Sequence, residues 1–177
     1  MIAGPLAALA LALGGGPAGP APLACPKGTE ARGRPPFEGY EEWCEGKDDA
    51  GKPRREGPAR TWYDDGALWT EESFTQGERD GRFVEYHRNG RKAREGHYVK
   101  GKQDGTWTLW WESGGVEEEA EWHEGVPHGR FAAYRQDGTK RVEGRRCGGA
   151  PCGTWTTYGP DGRVEGTATY EMGVLTP

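Results

Sequence analysis

Residues 81–104 read GRFVEYHRNGRKAREGHYVKGKQD, and this pattern recurs five times at an unbroken interval of 24 residues. The five copies fill residues 57–176 and align in three glycine columns. A fixed period of this length is typical of repeat architectures, in which each unit buries its apolar face against its neighbours. The sequence therefore predicts an extended stack of units rather than a catalytic cleft. The columns are Gly57, Gly81, Gly105, Gly129 and Gly153; Gly66, Gly90, Gly114, Gly138 and Gly162; and Gly77, Gly101, Gly125, Gly149 and Gly173.

Each unit opens with a short segment that has the composition of a β-strand. Two residues after the first-column glycine stands an aromatic ring, and three residues later stands another, with β-compatible residues between them. The first of these positions holds Ala59, Phe83, Trp107, Phe131 and Trp155, and the second holds Trp62, Tyr86, Trp110, Tyr134 and Tyr158.

The second glycine column marks a turn, and the segment after it returns as a second strand. Asp, Asn or Ser precedes this glycine, and Asp-Gly and Asn-Gly are strong hairpin signals because these residues tolerate a positive φ. The returning strand carries a small residue and, two positions later, an aromatic one, so both lie on one face. The prediction is an all-β fold: an elongated antiparallel meander of five 24-residue β-hairpin repeats with a small N-terminal cap.

Composition limits the class of function. The chain of 177 residues is 33% hydrophobic with a mean hydropathy of −0.92, and eight Trp, seven Tyr and four Phe replace the missing aliphatic core. Acidic and basic residues are interspersed and the formal net charge is −5. Nucleic-acid binding, which needs clustered basic residues, is therefore not predicted.

Residues 1–24 contain no charged side chain, and Leu6 to Leu13 reads LAALALAL. An apolar run of this length followed by small residues is typical of a secretory signal, and it is too short to span a bilayer. No Lys or Arg precedes the run, which departs from a complete signal. We predict a signal-peptide-like leader over 1–24 and an extracytoplasmic location: periplasmic, outer-membrane-associated or secreted.

Four cysteines suggest two local pairs, Cys25 with Cys44 and Cys147 with Cys152. In an oxidising compartment an even count at close spacing is typical of disulfides. Two alternatives stay open. The C-x4-C spacing of the second pair would suit a zinc site only loosely, and Cys25 after Leu23 and Ala24 would suit a lipid anchor, although Pro22 departs from that motif.

The core pattern G-x-[FW]-x-x-[WY]-x-x-[DNS]-G, followed by E-G-x-Y and G-x-x-x-G as in residues 95–105, resembles the MORN repeat, and more closely the MORN-variant group of bacterial proteins, some labelled antitoxins. The resemblance covers five copies over residues 54–177. It implies an antiparallel meander that acts as a scaffold for protein or phospholipid partners, without catalytic residues. Residues 25–53 depart from the repeat, and we predict a disulfide-linked N-terminal cap in which Tyr40 and Trp43 cover the open sheet edge.

No constellation points to catalysis, a metal or a cofactor. The four histidines occupy separate repeat positions, and Glu117, Glu119 and Glu121 alternate along a strand as on a solvated surface. No P-loop, nucleophile elbow or dinucleotide fingerprint is present. Basic residues between Arg88 and Lys102 face acidic residues in the next copy, which predicts a mixed soluble surface.

The segment from Thr106 to Trp111 reads TWTLWW and is the best candidate for partner binding. Trp107 and Trp111 are expected on one face and Trp110 on the other. We expect Trp111 to be an exposed anchor, because its column is polar in other copies. The predicted function is a non-enzymatic extracytoplasmic binding or scaffold module whose aromatic-rich sheet contacts a protein, phospholipid or envelope partner; the alternative is a cytoplasmic antitoxin-like regulator that masks a toxin.

Overall fold

A computed structural model describes residues 20–36 and 38–176. The apolar run of the predicted leader and most of residues 1–24 lie outside the described residues. The described chain forms one sheet in which successive strands pair antiparallel in chain order, and only the short β5 lies off the path, beside β4. The strands are β1 Glu30–Arg34, β2 Glu41–Lys47, β3 Pro53–Trp62, β4 Leu68–Thr75, β5 Glu78–Arg79, β6 Gly81–Tyr86, β7 Lys92–Val99, β8 Lys102–Trp110, β9 Val116–His123, β10 Val126–Tyr134, β11 Lys140–Cys147, β12 Ala150–Tyr158, β13 Val164–Glu171 and β14 Val174–Thr176. The predicted all-β hairpin meander is confirmed.

The tight turns lie at the third glycine column. Lys100 and Gly101 both have positive φ, 48° and 76°, and the same pair of conformations recurs in every unit. Two consecutive positive φ values define the type I′ turn, whose twist matches that of paired strands. The glycine N–H then donates to a carbonyl of the preceding connection, as from Gly101 to Arg79 at 2.7 Å. Each turn therefore also joins one unit to the one before it.

The second glycine column forms a longer loop, and here the expected turn chemistry was wrong. Only the glycine has a positive φ, as at Gly66 with 85°. The preceding acidic or amide side chain instead accepts a hydrogen bond from the N–H two residues on, as Asp65 does from Ala67 at 3.0 Å. Asp and Asn are therefore selected as side-chain acceptors that close the loop.

The first glycine column lies opposite the aromatic residue of the returning strand. Gly81 pairs with Tyr98, and Gly105 pairs with Trp122. The register shifts close to these glycines, where φ is 114° at Gly81 and 76° at Gly105. A glycine at this position therefore adopts the backbone conformation of the bulge and leaves space for the aromatic ring opposite it.

The N-terminal segment covers the edge of β3, the first strand of the repeats, as added strands. Strands β1 and β2 pair with each other, and β2 pairs with β3, so that Trp43 lies opposite Ala59. The Tyr40 carbonyl accepts a hydrogen bond from the Trp62 N–H at 2.9 Å. Tyr40 and Trp43 thus lie along the edge of β3, and β1 is the outer strand of the sheet at this end. No helix in the described residues is long and apolar enough to cross a membrane.

Candidate binding surface

The register places two chemically different faces on the sheet. On one, which we call the aromatic face, the ring near the start of each of the last four units lies opposite the small residue of its returning strand. Phe83 pairs with Gly96, and Trp107 pairs with Ala120. A side chain at Gly96 would overlap the ring of Trp107, so that ring occupies the space left by the glycine. Large and small residues thus alternate across the strands, as dense packing in a single layer requires.

Arginine side chains lie over the rings of the aromatic face. The Arg94 guanidinium carbon is 5.1 Å from the Phe83 ring centroid and 5.2 Å from that of Trp107. Arg146 stands where other units have an aromatic residue, and it lies 4.7 Å from Phe131. These are cation–π distances, and the aliphatic stems cover apolar surface. Arginine therefore supplies part of the cover that aliphatic residues give elsewhere.

The three predicted partner-binding tryptophans are differently placed, and none is an exposed anchor. Trp107 is 1% exposed and packs against Tyr98 at a centroid distance of 5.0 Å. Trp110 is half-buried on the opposite face, with the Lys92 ammonium 5.7 Å from its ring. Trp111 is half-buried, and its indole N–H is fully buried without an acceptor. The buried Trp107 is a packing residue, so its assignment to a partner was wrong.

The polarity of the Trp111 column has a structural cause that the sequence analysis missed. Three of its other members, Tyr63, His87 and Arg135, donate hydrogen bonds to the carbonyl of the residue that ends the first strand of the next unit, whereas Gly159 in the last unit has no side-chain donor. Tyr63 donates to Tyr86 at 2.9 Å, and Arg135 donates to Tyr158 at 2.5 Å. The signal available in the sequence was the recurrence, every 24 residues, of a side chain that ends in a hydrogen-bond donor.

The opposite face carries a row of glutamates, and we call it the carboxylate face. Its row contains Glu71, Glu95, Glu119 and Glu143, one from each returning strand of the first four units. A tyrosine of the following unit donates to three of them: Tyr86 to Glu71 at 2.9 Å, Tyr134 to Glu119 at 3.2 Å, and Tyr158 to Glu143. Burial and the Glu71 hydrogen bond raise the pKa of Tyr86 to about 12. These tyrosines are therefore neutral donors at physiological pH.

Basic side chains hold two of the four glutamates in the ionised form. Burial opposes ionisation of Glu95, but hydrogen bonds from Lys92 and Arg82 outweigh it and lower its pKa. The hydrogen bond from Lys140, followed by that from Tyr158, lowers the pKa of Glu143. On the aromatic face, by contrast, burial raises the pKa of Glu118 although Arg146 opposes it.

A shallow hollow of about 610 Å³ lies on the carboxylate face around Ala132. Ala132 pairs with Glu119 on one side and with Glu143 on the other. Its methyl group leaves room where the equivalent residue of the second unit is Val84, which is 1% exposed. Charged and hydroxyl side chains around Ala132 include Thr106, Glu119, Glu121, Arg130, Lys140, Glu143, Arg145, Thr154 and Thr156.

The cysteines form the two predicted disulfides, Cys25–Cys44 and Cys147–Cys152. Cys44 is fully buried, and Cys44 and Pro26 both lie beside Gly57. Because both sulfurs of each pair are used, neither pair offers thiolates to zinc, and Cys25 has no thiol free for a lipid anchor. The zinc and lipid alternatives do not fit the structure.

Three of the four histidines make polar contacts between units. His87 Nε2 is 2.8 Å from the Trp110 carbonyl, and His128 Nδ1 accepts from Gly148 at 3.4 Å. His123 lies 3.3 Å from an Asp104 carboxylate oxygen. In the described part of the chain no group of three or more His, Cys, Asp or Glu side chains is arranged to hold a metal ion.

One exposed ring was not singled out from the sequence. Trp69 is 42% exposed, lies 5.7 Å from the Tyr63 ring and donates to Glu85 at 3.4 Å. It does not belong to a column that is aromatic in the other units, so the repeat pattern gave no signal for it. Tyr40, which was expected in the N-terminal cap, is 48% exposed.

Two adjacent stretches, residues 79–100 and 103–124, match the family model of the MORN repeat variant. The MORN-type resemblance is thus confirmed for two neighbouring units, and these two units lie inside the register that all five share. The match is to the repeat and does not extend to an antitoxin group. A comparison with curated proteins finds no significant match.

Proposed function

We propose that this sheet of MORN-type repeats is a non-enzymatic binding and scaffold module that works outside the cytoplasm and takes a protein as its partner. The observation that carries the proposal is architectural. Every described strand belongs to one sheet, so no second layer from the described residues covers either face. A single-layer sheet places a large ordered surface in contact with solvent, which suits recognition of another macromolecule.

The nature of the polar groups supports binding over catalysis. The glutamates of the carboxylate face are hydrogen-bonded to tyrosine hydroxyls or paired with lysine and arginine. Such partners hold carboxylates as fixed anions with lowered pKa values, as for Glu95 and Glu143, whereas a general acid or base needs a pKa near the working pH. The arrangement therefore favours a patterned, rigid surface.

The oxidised cysteines support the extracytoplasmic location. Disulfides persist outside the cytosol, where no thiol pool reduces them. The Cys25–Cys44 bridge lies beside the first strands of the sheet, and the Cys147–Cys152 bridge spans a hairpin turn. The antitoxin-like alternative requires a cytoplasmic chain with four reduced cysteines, and the two bridges favour the extracytoplasmic module over it.

Site-specific photo-crosslinking in the native host tests the proposal. A benzoylphenylalanine would be placed singly at Thr106 or Thr154, both exposed on the carboxylate face, and at Arg163 in an exposed loop as the control. We expect one defined protein adduct from the face positions and none from the control. Adducts only with lipid or envelope polymer would identify a different partner class, and the absence of adducts at every position would contradict the proposal.

A further inference from the structure

The hollow around Ala132 lies where two units of opposite charge meet. The third unit, residues 105–128, contains six acidic residues and no Lys or Arg. The fourth unit, residues 129–152, contains six basic residues and two acidic ones. Oppositely charged groups of both units line the same depression. Any group bound there meets an acidic wall on one side and a basic wall on the other.

Glu119 on the acidic side lacks the basic partner that its counterpart has. In the second unit Glu95 is paired with Arg82 at 2.6 Å and with Lys92 at 2.5 Å. In the third unit Thr106 and Val116 replace these two basic residues. Among the described residues Glu119 takes part in no ion pair, and its one side-chain hydrogen bond comes from Tyr134. The repeat itself thus shows which chemical group is missing: a guanidinium or an ammonium.

The guanidiniums of Arg130 and Arg145 on the basic side form no ion pair among the described residues, although the main-chain N–H of Arg130 donates to Glu121 Oε2 at 2.6 Å. The two residues are directly opposite each other on β10 and β11, and both are exposed. Like charges in directly opposed positions of a sheet destabilise it. Within residues 20–36 and 38–176 neither guanidinium forms an ion pair, whereas the neighbouring Lys140 does, with Glu143 at 2.6 Å. An anion placed between the two guanidiniums would remove this repulsion and form charge-assisted hydrogen bonds.

We propose that this hollow docks an extended segment of a protein partner that carries an acidic and a basic side chain two residues apart. The acidic side chain lies between Arg130 and Arg145, and the basic one reaches Glu119. The inference rests on the proposed function as a binding module and names its site and the chemistry of its partner.

The spacing follows from the sheet. Arg130 and Ala132 are two residues apart on one face of β10, which is about 7 Å, and Glu119 lies beside Ala132. In an extended peptide, side chains two residues apart also share one face at the same separation. Thr106, Thr154 and Thr156 supply hydroxyls that can bond the peptide backbone. Charge complementarity therefore selects the residue types and their spacing along the partner.

Titration with short peptides, followed by NMR of the full chain with its disulfides intact, tests the proposal. The probes are acetylated, amidated pentapeptides whose central three residues are Glu-Ser-Lys, Glu-Ser-Glu, Lys-Ser-Lys or Gln-Ser-Gln. We expect Glu-Ser-Lys to shift the amide signals of Arg130, Ala132 and Arg145. It is expected to bind at least about fivefold more tightly than Glu-Ser-Glu or Lys-Ser-Lys, whose two charges have the same sign. Raising the NaCl concentration to about 0.3 M is expected to weaken the binding of Glu-Ser-Lys, because added salt screens exposed charges.

Charge variants with matched controls separate this site from general electrostatic attraction. Arg145→Glu and Glu119→Gln are each expected to weaken the mixed peptide about fivefold or more. Arg163→Glu and Glu171→Gln change the net charge equally at exposed positions outside the hollow, and they are expected to have no effect.

The proposal is overturned if Glu-Ser-Glu or Gln-Ser-Gln binds as tightly as Glu-Ser-Lys, if the signal shifts spread evenly over the sheet, or if the control variants weaken binding as much as the site variants. Absence of binding by all four peptides also overturns it. The two tests remain distinguishable, because Thr106 and Thr154 line the hollow and a protein adduct there, without peptide selectivity, would keep the binding function and remove only the proposed charge recognition.

Discussion

The hydroxyl of Tyr63 donates a hydrogen bond to the carbonyl oxygen of Tyr86 at 2.9 Å, and so fastens one unit to the next. His87 and Arg135 make the equivalent contact with carbonyl oxygens one unit further on. Trp111 occupies the same column, but its buried N–H finds no acceptor. The column is thus a joint between units, and the third unit contains an incomplete copy of it.

Replacing Trp111 tests whether it is a joint or a partner anchor. Because the ring is half-buried, Trp111→Ser is expected to lower the free energy of unfolding by about 2 kcal/mol. Trp111→Arg introduces the residue type of Arg135, the equivalent position in the next unit. It is expected to lose less free energy of unfolding, because its guanidinium restores a donor for the Tyr134 carbonyl. Urea unfolding measures both. Unchanged stability in Trp111→Ser, together with loss of partner binding, would restore the anchor interpretation.

The pairing of Gly96 with Trp107 gives a second prediction. A methyl group at residue 96 overlaps the Trp107 ring, which is 1% exposed and enclosed by neighbouring side chains. Gly96→Ala is therefore expected to destabilise the fold by about 2 to 3 kcal/mol, as overpacking does. Gly115→Ala is the control, because its new β-carbon would come no closer than 3.8 Å to its nearest neighbours. Equal melting temperatures for the two variants would show that the ring does not depend on the glycine.

Much of this packing was predictable because it repeats. The alternation of ring and small residue appears in the last four units, and the strands follow from it. The Trp111 column was misinterpreted because a polar column has two explanations, exposure or hydrogen bonding between units. Only the register shows that the donor of Tyr63 reaches a carbonyl 23 residues on.

The candidate site was harder to predict than the fold. Ala132 is an ordinary residue in sequence, and the hollow arises because Glu119, Arg130 and Arg145 come from three different strands. Whether a charged residue is paired depends on which side chains the register places beside it. The cysteine pairs, in contrast, were predictable from short spacing alone.

The two disulfides are expected to contribute unequally. The Cys25–Cys44 bridge closes a 19-residue separation and places Cys44 in a fully buried site, whereas Cys147–Cys152 closes five residues. Loop-closure entropy gives about 3 kcal/mol for the first and about 2 kcal/mol for the second. Thermal unfolding of Cys25→Ser/Cys44→Ala and Cys147→Ser/Cys152→Ser double variants measures the difference. A larger loss from the second pair would contradict this order.

Lowering the pH is expected to remove the contribution of Glu143. Its pKa in the folded protein is below the ordinary 4.5, chiefly because Lys140 hydrogen-bonds it, so it stabilises the fold above that pH. This contribution is lost as the pH falls through the folded pKa. Glu143→Gln should therefore flatten the acid limb of a stability–pH curve. An acid limb as steep as that of the parent protein would contradict the ion pair.

Glu118 is expected to behave in the opposite sense. Burial raises its pKa, so its ionised form costs stability at neutral pH and protonation relieves that cost. Glu118→Gln is expected to be more stable than the parent at pH 7, by less than about 1 kcal/mol, with the difference shrinking as the pH falls through the raised pKa of Glu118 towards 4.5 and absent well below 4.5. Glu171→Gln, at an exposed position on β13 that does not act on Glu118, is the control. A destabilised Glu118→Gln would mean that attraction to Arg146 outweighs burial.

The proposed extracytoplasmic binding module requires an oxidised chain outside the cytoplasm. The intact mass of the protein recovered from fractions of its native host tests this directly. Spectra before and after reduction, with free thiols alkylated, count the bridges. We expect the protein outside the cytoplasm with no free thiol and lighter than its reduced form by the four hydrogens of two disulfides. A cytoplasmic protein with four alkylated cysteines would contradict the account and place the antitoxin-like regulator first.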